Sequence, residues 1–339
     1  MTAIGAFISG CAGTALSEQE TAFFQRTNPF GLILFRRNCE SSLQLKALTS
    51  AFRLAVGRRD APVFVDQEGG RVQRLGPPSN SWRKYPPARA YGGVYDSDPL
   101  RALRSARHVG RLMAEDLIES GITANCVPLL DVPQADGHGI IGDRAYSMNR
   151  DHIMALARAH AAGFSDGGVL PVMKHIPGHG RARADSHHDL PVVEATKAEL
   201  AAVDFPPFAA FADCPMVMTA HVVFTALDKS APATLSAKII KSVIREQIGF
   251  RGLLMTDDLS MKALSGSFTE KTERALKAGC DVVLHCNGHL DEMEEVAAAS
   301  GVLKGKSLRR ARAALKSARK PQVFDRKAAL KDLDALLPG

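Results

Sequence analysis

Eight short apolar runs, each closed by a turn and most followed by a helical stretch, constrain this chain more than anything else in it. They are Ile4–Ile8, Gly31–Phe35, Pro62–Asp66, Ala124–Val127, Pro171–His175, Met216–His221, Gly252–Asp257 and Val282–Cys286. Runs that are apolar throughout, rather than alternating, suit strands of a parallel sheet covered on both faces by helices. The segments Ser41–Val56, Pro99–Ser120, Asp151–Phe164, Lys197–Ala212 and Ser236–Ile248 read as such helices. Eight strand-and-helix units in 339 residues predict an α/β fold, a single (β/α)8 TIM-type barrel. A doubly wound open sheet is the runner-up, but no G-x-G-x-x-G turn follows the first run. Residues 303–339 are rich in Lys, Arg, Ala and Leu and read as extra C-terminal helices packed on the barrel exterior. With no linker, repeat or low-complexity stretch between, residues 1–339 are read as one catalytic barrel domain.

The chain carries a net charge of +7, with its cations scattered and only pairs such as Arg36-Arg37, Arg58-Arg59 and Arg309-Arg310 standing out. That pattern suits an anionic small ligand or solubility, not a nucleic-acid stripe. None of the six Cys forms a C-x-x-C pair, and most sit in or beside apolar runs, so they read as buried thiols of a reducing compartment. Residues 1–10 lack the basic start and apolar core of a signal peptide, and no run approaches a membrane span. The expectation is a soluble cytoplasmic protein, monomer or weak oligomer, with a small-molecule substrate and neither nucleic acid nor membrane as partner.

Strand ends carry the chemistry in barrels of this kind. Run three ends at Asp66, run five at Lys174-His175, run six at His221 and run seven at Asp257-Asp258. After run five comes Lys174-His-Ile-Pro-Gly-His-Gly180 and then Asp185-Ser-His-His188, four His, a Lys and an Asp among helix-breaking Gly and Pro. The Gly and Pro predict a loop here. Adjacent strand residues face opposite ways, so one of Asp257 and Asp258 points into the mouth while the other caps or braces the next element. Asp185 and His187 form a D-x-H pair in which a carboxylate fixes the tautomer of an imidazole and suits it to proton transfer; in isolation, such a pair is an ordinary polar loop. His175 and His179 have H-x-x-x-H metal spacing, yet Pro177 and Gly178 forbid the helix that spacing needs, and neither metal nor cofactor is expected. In Asp66-Gln-Glu-Gly-Gly-Arg-Val-Gln-Arg74 the two Gly permit a tight turn that lets Asp66 and Arg74 meet, either on one polyhydroxylated ligand or as a bracing ion pair; Arg144 adds a cation.

These segments, with Met218-Thr-Ala-His221 and Thr256-Asp-Asp-Leu-Ser-Met261, are similar in order and spacing to the bacterial β-N-acetylglucosaminidases (β-hexosaminidases) of glycoside hydrolase family 3, NagZ type. The resemblance spans nearly the whole chain. It implies a (β/α)8 barrel and a retaining exo-hydrolase that removes terminal β-linked N-acetylglucosamine from muropeptides in cell-wall recycling, through a covalent glycosyl-enzyme. By position it implies Asp257 as nucleophile, His187 as acid/base with Asp185 as its dyad partner, and Asp66, Arg74, Arg144, Lys174 and His175 as the sugar-binding set. A departure at Arg181-Ala-Arg183 bears on the leaving-group contacts. Three rivals remain open. A β-N-acetylglucosaminide phosphorylase would use the same Asp and His, since a neutral His does not repel phosphate. A metal-dependent hydrolase would need the His cluster as ligands. A non-catalytic sugar-binding barrel would have no use for a carboxylate and a D-x-H pair together.

Overall fold

The computed structural model describes residues 3–79, 81–134, 139–182 and 190–337. Its centre is a closed barrel of eight parallel strands: β1 Gly5–Ser9, β2 Pro29–Leu34, β3 Val63–Val65, β4 Ala124–Asn125, β5 Leu170–Ile176, β6 Met216–Thr219, β7 Leu253–Asp258 and β8 Val282–His285. Each pairs with its sequence neighbours, and β1 closes on β8 with Phe7 opposite Val283 and Ser9 opposite His285. Each of the eight apolar runs supplies one strand. The (β/α)8 TIM-type barrel is therefore the fold.

Alternation along the strands separates two buried layers. Ala6 and Ile8, Phe64, Leu170 and Val172, Met216 and Met218, Leu253 and Met255, and Val282 and Leu284 fill the interior. Phe7, Val63, Val65, Met173, Val217, Leu254 and Val283 point outward into the layer shared with the helices. Those helices include Ser42–Ala55, Pro99–Glu119, Arg150–Asp166, Phe268–Ala278 and Leu290–Ser300. Side-chain caps start them where the sequence turns polar. Ser41 accepts from Gln44 N, Asp98 from Arg101 N ahead of a Pro at the first helical position, and Ser267 forms a reciprocal box with Glu270. No helix among the described residues is long and apolar enough to cross a membrane.

The two C-terminal helices behave differently from each other. Arg326–Asp334 lies outside, where Asp332 takes Arg104 and the His108 ring from helix Pro99–Glu119. Gly305–Lys316 does not: its Ala311 and Ala314, with Leu303, join the interior cluster and floor the barrel at the strand starts. The chain reaches that position because Leu303 N donates to Ile4 O at 2.7 Å. Asp281, buried beside β8, fastens the helix by accepting Ser307 Oγ at 2.7 Å and Arg310 Nη1 at 2.9 Å, while its other oxygen takes Arg245 Nη2 and Leu254 N. Asp281→Ala leaves two arginines and a backbone N–H without their acceptor. A loss of about 3–5 kcal/mol in unfolding free energy is expected, measured by urea denaturation.

Candidate active site

The strand ends converge on a cavity of about 240 Å³ lined by Asp66, Arg74, Arg144, Lys174, His175, Asp257 and neighbours. It is smaller than the roughly 300–1,000 Å³ of drug-sized pockets, and suits one sugar ring. The reason these side chains arrive there is strand parity. Asp66 follows Phe64, Lys174 follows Leu170 and Val172, and Asp257 follows Leu253 and Met255, each continuing an inward-facing row. His175 lies one residue off that parity and still lines the cavity, because the register of β5 against β6 slips between Met173 and Ile176. Lys174 and His175 thus belong to the strand, as run five has them, and the loop that Gly and Pro predict over Lys174–Gly180 begins only at Pro177. A larger cavity, about 900 Å³, lies between helices Pro99–Glu119 and Arg150–Asp166, but its Arg104 and Arg107 are tied to Asp332 and Asp166 and no strand end reaches it.

One wall of the site is a buried charge network. Lys174 Nζ donates to Asp66 Oδ1 at 2.6 Å and contacts Glu68 Oε1 at 2.7 Å. Arg144 grips Glu68 with both Nε and Nη2 at 2.8 Å, and Arg74 Nη2 donates to Asp66 Oδ2 at 3.2 Å. Asp66 and Arg74 meet because the hairpin Gln67–Gly69/Val72–Gln73 reverses the chain at Gly69 (φ +95°) and Gly70 (φ +56°). A Cβ on Gly69 would also sit 2.2 Å from Pro86 O. The two expectations for this pair merge: it is an ion pair, and it lines the cavity. Burial alone pushes the Asp66 carboxyl up, but Lys174 and Arg74 beside it hold it well below the usual carboxylate range. Burial likewise opposes Glu68, and Arg144 with Lys174 outweighs it.

The opposite wall carries Asp257. Its Oδ1 accepts the N–H of Asp258 at 2.8 Å, while Oδ2 faces the His175 ring, 3.9 Å from Nε2. Burial favours the neutral acid, yet His175 and His221 hold the carboxyl low. Asp258 is spent on the turn: it accepts Ser260 N at 3.0 Å, Cys286 N at 3.2 Å and the Ser260 hydroxyl. Buried His221 braces the same turn from β6, with Nδ1 on Thr234 Oγ1 at 2.7 Å and Nε2 against Asp258 O at 3.0 Å. Behind His175 stands Asp131, fully buried, its Oδ2 2.8 Å from His175 Nδ1 and its Oδ1 accepting the N–H groups of His175 and His179. Arg181 turns away from the cavity and donates to Asp204 at 2.7 Å; burial pushes the Asp204 carboxyl up to about 6 in spite of that guanidinium. Asp185 and His187 lie outside the described residues. Among the described residues no three His, Cys, Asp or Glu side chains converge as metal ligands would.

Sequence reasoning singles out Asp66, Arg74, Arg144, Lys174, His175 and Asp257, and the structure brings all six together. It passes over Glu68 and Asp131. Glu68 stands inside the quoted Asp66–Arg74 segment, three residues past the end of β3, and a second acid between Asp66 and the two Gly is a signal a closer reading could use. Asp131 is hidden by Pro128, which ends the apolar run early. The chain resumes alongside β5 beyond it, with Leu130 N on Lys174 O at 2.8 Å, and this carries Asp131 to the mouth.

Residues 8–319 match the family described as glycosyl hydrolase family 3 N terminal domain. The chain belongs to glycosyl hydrolase family 3. This family 3 chain is 38% identical over 288 residues to a β-hexosaminidase of Alkalilimnicola ehrlichii, covering 84% of this chain and 81% of that one. It is 39% identical over 280 residues to a β-hexosaminidase of Chromobacterium violaceum, covering 81% and 77%. Among solved structures it is similar to NagZ from Neisseria gonorrhoeae in complex with N-trifluoroacetyl-D-glucosamine, with a TM-score of 0.88, 31% identity and 98% of both chains covered. It is accordingly a glycoside hydrolase.

The charge network ties stability to pH. Glu68 is held below its unfolded value of about 4.3, so its contribution is fully present above that value and is lost as pH falls through the folded one. Unfolding free energy, followed by urea titration, should therefore decline from about pH 5 downward. Glu68→Gln should lower stability at neutral pH, because Arg144 and Lys174 lose their buried counter-charge, and should flatten the acid decline. An equally steep decline in that variant would mean that Glu68 is not ionised in the native state.

Proposed function

We propose that this chain is a retaining exo-β-N-acetylglucosaminidase that removes terminal β-linked N-acetylglucosamine from muropeptides, serving cell-wall recycling in the cytoplasm, with residues 1–339 acting as one catalytic unit. The observation that carries the reading is Asp257: an ionised carboxylate with one oxygen engaged and the other without a hydrogen bond among the described residues, at the mouth of a sugar-sized cavity rich in paired donors and acceptors. The likeness to the Neisseria NagZ solved with an N-acylated glucosamine supports the sugar, and the named β-hexosaminidase relatives support hydrolysis.

In this reading Asp66, Arg74, Arg144, Lys174 and His175 bind the sugar hydroxyls, the anionic oxygens accepting and the cations donating. Asp257 Oδ2 attacks the anomeric carbon; the glycosidic C–O bond breaks, and its electron pair leaves on the oxygen, which takes a proton from His187. In the second step His187 removes a proton from water as the water attacks the same carbon and releases the Asp257 carboxylate. Asp185 orients the imidazole. Neither metal nor cofactor enters.

Hydrolysis of an aryl β-N-acetylglucosaminide, with the product anomer followed by NMR, tests the reading. Net retention is expected; inversion, or sugar-1-phosphate appearing in phosphate buffer, would replace it. Asp257→Asn should lose roughly 10³-fold or more in turnover while staying folded, whereas Asp258→Asn should act chiefly on stability. His187→Ala should cripple the natural disaccharide far more than an aryl glycoside, whose leaving group needs little protonation. With the aryl substrate it should show a phenolate burst, then rescue by azide with release of a β-glycosyl azide. Equal losses on both substrates without azide rescue would remove His187 from the acid/base role.

A further inference from the structure

We infer that Asp131 is a positioning residue for the first chemical step, holding the His175 ring beside the attacking oxygen of Asp257 but short of a hydrogen bond to it. The inference rests on the proposed role of Asp257. Its basis is geometric. Asp131 is fully buried and makes three contacts to one short stretch of chain: Oδ1 accepts His175 N at 3.2 Å and His179 N at 2.7 Å, and Oδ2 lies 2.8 Å from His175 Nδ1. A carboxylate only accepts, so Nδ1 carries the proton, and Nε2 is the nitrogen turned to the cavity. Nε2 stands 3.9 Å from Asp257 Oδ2, inside the range of charge attraction and outside that of a hydrogen bond.

That separation has a chemical use. Asp257 Oδ1 is occupied by the Asp258 N–H, so Oδ2 is the oxygen left to attack. A ring free to swing about 1 Å nearer would, whenever Nε2 carries a proton, donate it to Oδ2 and tie up its lone pair. A ring swung away would withdraw the imidazole that helps hold the Asp257 carboxyl low. Asp131 forbids both motions, because the carboxylate that holds the ring through Oδ2 also holds, through Oδ1, the backbone on either side of the Ile176–Gly178 turn. Gly180 lets the two segments close up, since a Cβ there would lie 2.0 Å from Val132 O. Among the described residues the other ionisable groups around this pair include His179 on the turn, His221 just past β6, Lys174 on β5, Asp258 and Cys286 at the ends of β7 and β8, Asp204 beyond Gly178 and, across the cavity, Asp66, Arg74 and Arg144. Burial and the nearby His175 hold His179 near 4, leaving it neutral at working pH. His175 is the group whose placement Asp131 controls.

The test is a double-mutant cycle on an aryl β-N-acetylglucosaminide with Asp131→Asn, His175→Asn and the pair together. Asp131→Asn should lower kcat by roughly 10–100-fold, as losing an orienting partner does elsewhere, with little change in KM. The acid limb of its kcat/KM profile should move to higher pH, because Asp257 then loses its proton less readily. The double variant should be no slower than His175→Asn alone. Additive losses, or an unmoved acid limb, would reduce Asp131 to a structural tie. Should Asp131→Asn not fold, Asp131→Glu carries the same comparison, since it keeps the charge and displaces the ring. Trapping the wild-type ester with a fluorinated N-acetylglucosaminide and mapping the labelled peptide separates the two ideas. Label on a residue other than Asp257 overturns the nucleophile reading and this inference with it; label on Asp257 with an additive cycle overturns only the role of Asp131.

Discussion

The site is organised around the ammonium of Lys174. It is 2% exposed, and a lone ammonium at that depth would lose several kcal/mol of hydration and shed its proton instead. It stays charged because Asp66 and Glu68 both stand within 2.7 Å. Those two acids belong to the hairpin after β3, so satisfying the ammonium locks the end of β5 to that hairpin. Glu68 then fixes Arg144 with two parallel hydrogen bonds, a fork geometry that a lysine at 144 would not reproduce. Arg74 completes the set on the free oxygen of Asp66. Three cations face two anions, leaving one positive charge in excess at the mouth, and Asp257 is the nearby carboxylate that balances it. The network that shapes the cavity therefore also favours the ionised form of the residue opposite.

Much of this was legible in the sequence, for a physical reason. A parallel barrel buries both faces of each strand, so the strands appear as apolar runs, and the first charged residue at the end of a run marks the mouth. Asp66, Lys174 and Asp257 all have that signature. Parity alone left Asp257 and Asp258 undistinguished, because the strand is apolar on both faces; with Leu253 and Met255 seen to face inward, counting in twos selects the first. Illegible features are those where the backbone departs from the regular strand. Pro128 has no N–H to give the ladder, so the fourth run ends early and Asp131 looks like a loop residue. Around Lys174 and His175 two signals overlapped, an apolar run reaching His175 and a Gly- and Pro-rich loop reaching back to Lys174, and the strand prevails as far as Ile176. The helix Gly305–Lys316 has the composition of a solvated surface helix, and only the stripe Leu308, Ala311, Ala314 and Leu315 reveals the face that floors the barrel.

The same electrostatics bear on which group can serve as the acid. A general acid must hold a proton at working pH and present it to the leaving oxygen. Asp66, Glu68 and Asp131 are each held below the ordinary carboxylate range by cations, histidines or backbone N–H groups, so they are anions there. Asp258 has both oxygens committed to Ser260, and one of them also to Cys286 N. The carboxyls that burial pushes upward, Asp116 and Asp204, pair with Arg83 and Arg181 and lie off the cavity. None of the described carboxyls at the mouth thus resembles the second member of the usual retaining pair, a carboxylic acid with a raised pKa. In the proposed mechanism the barrel supplies the nucleophile from a strand and leaves proton transfer to a group of another kind. An imidazole, with an unperturbed pKa of about 6.5, can both donate and accept near neutrality without burial or a like charge to adjust it. On this argument the mouth, crowded with cations, would hold a second carboxyl too firmly ionised to act as an acid, which supports the proposed assignment of that role to His187 with Asp185.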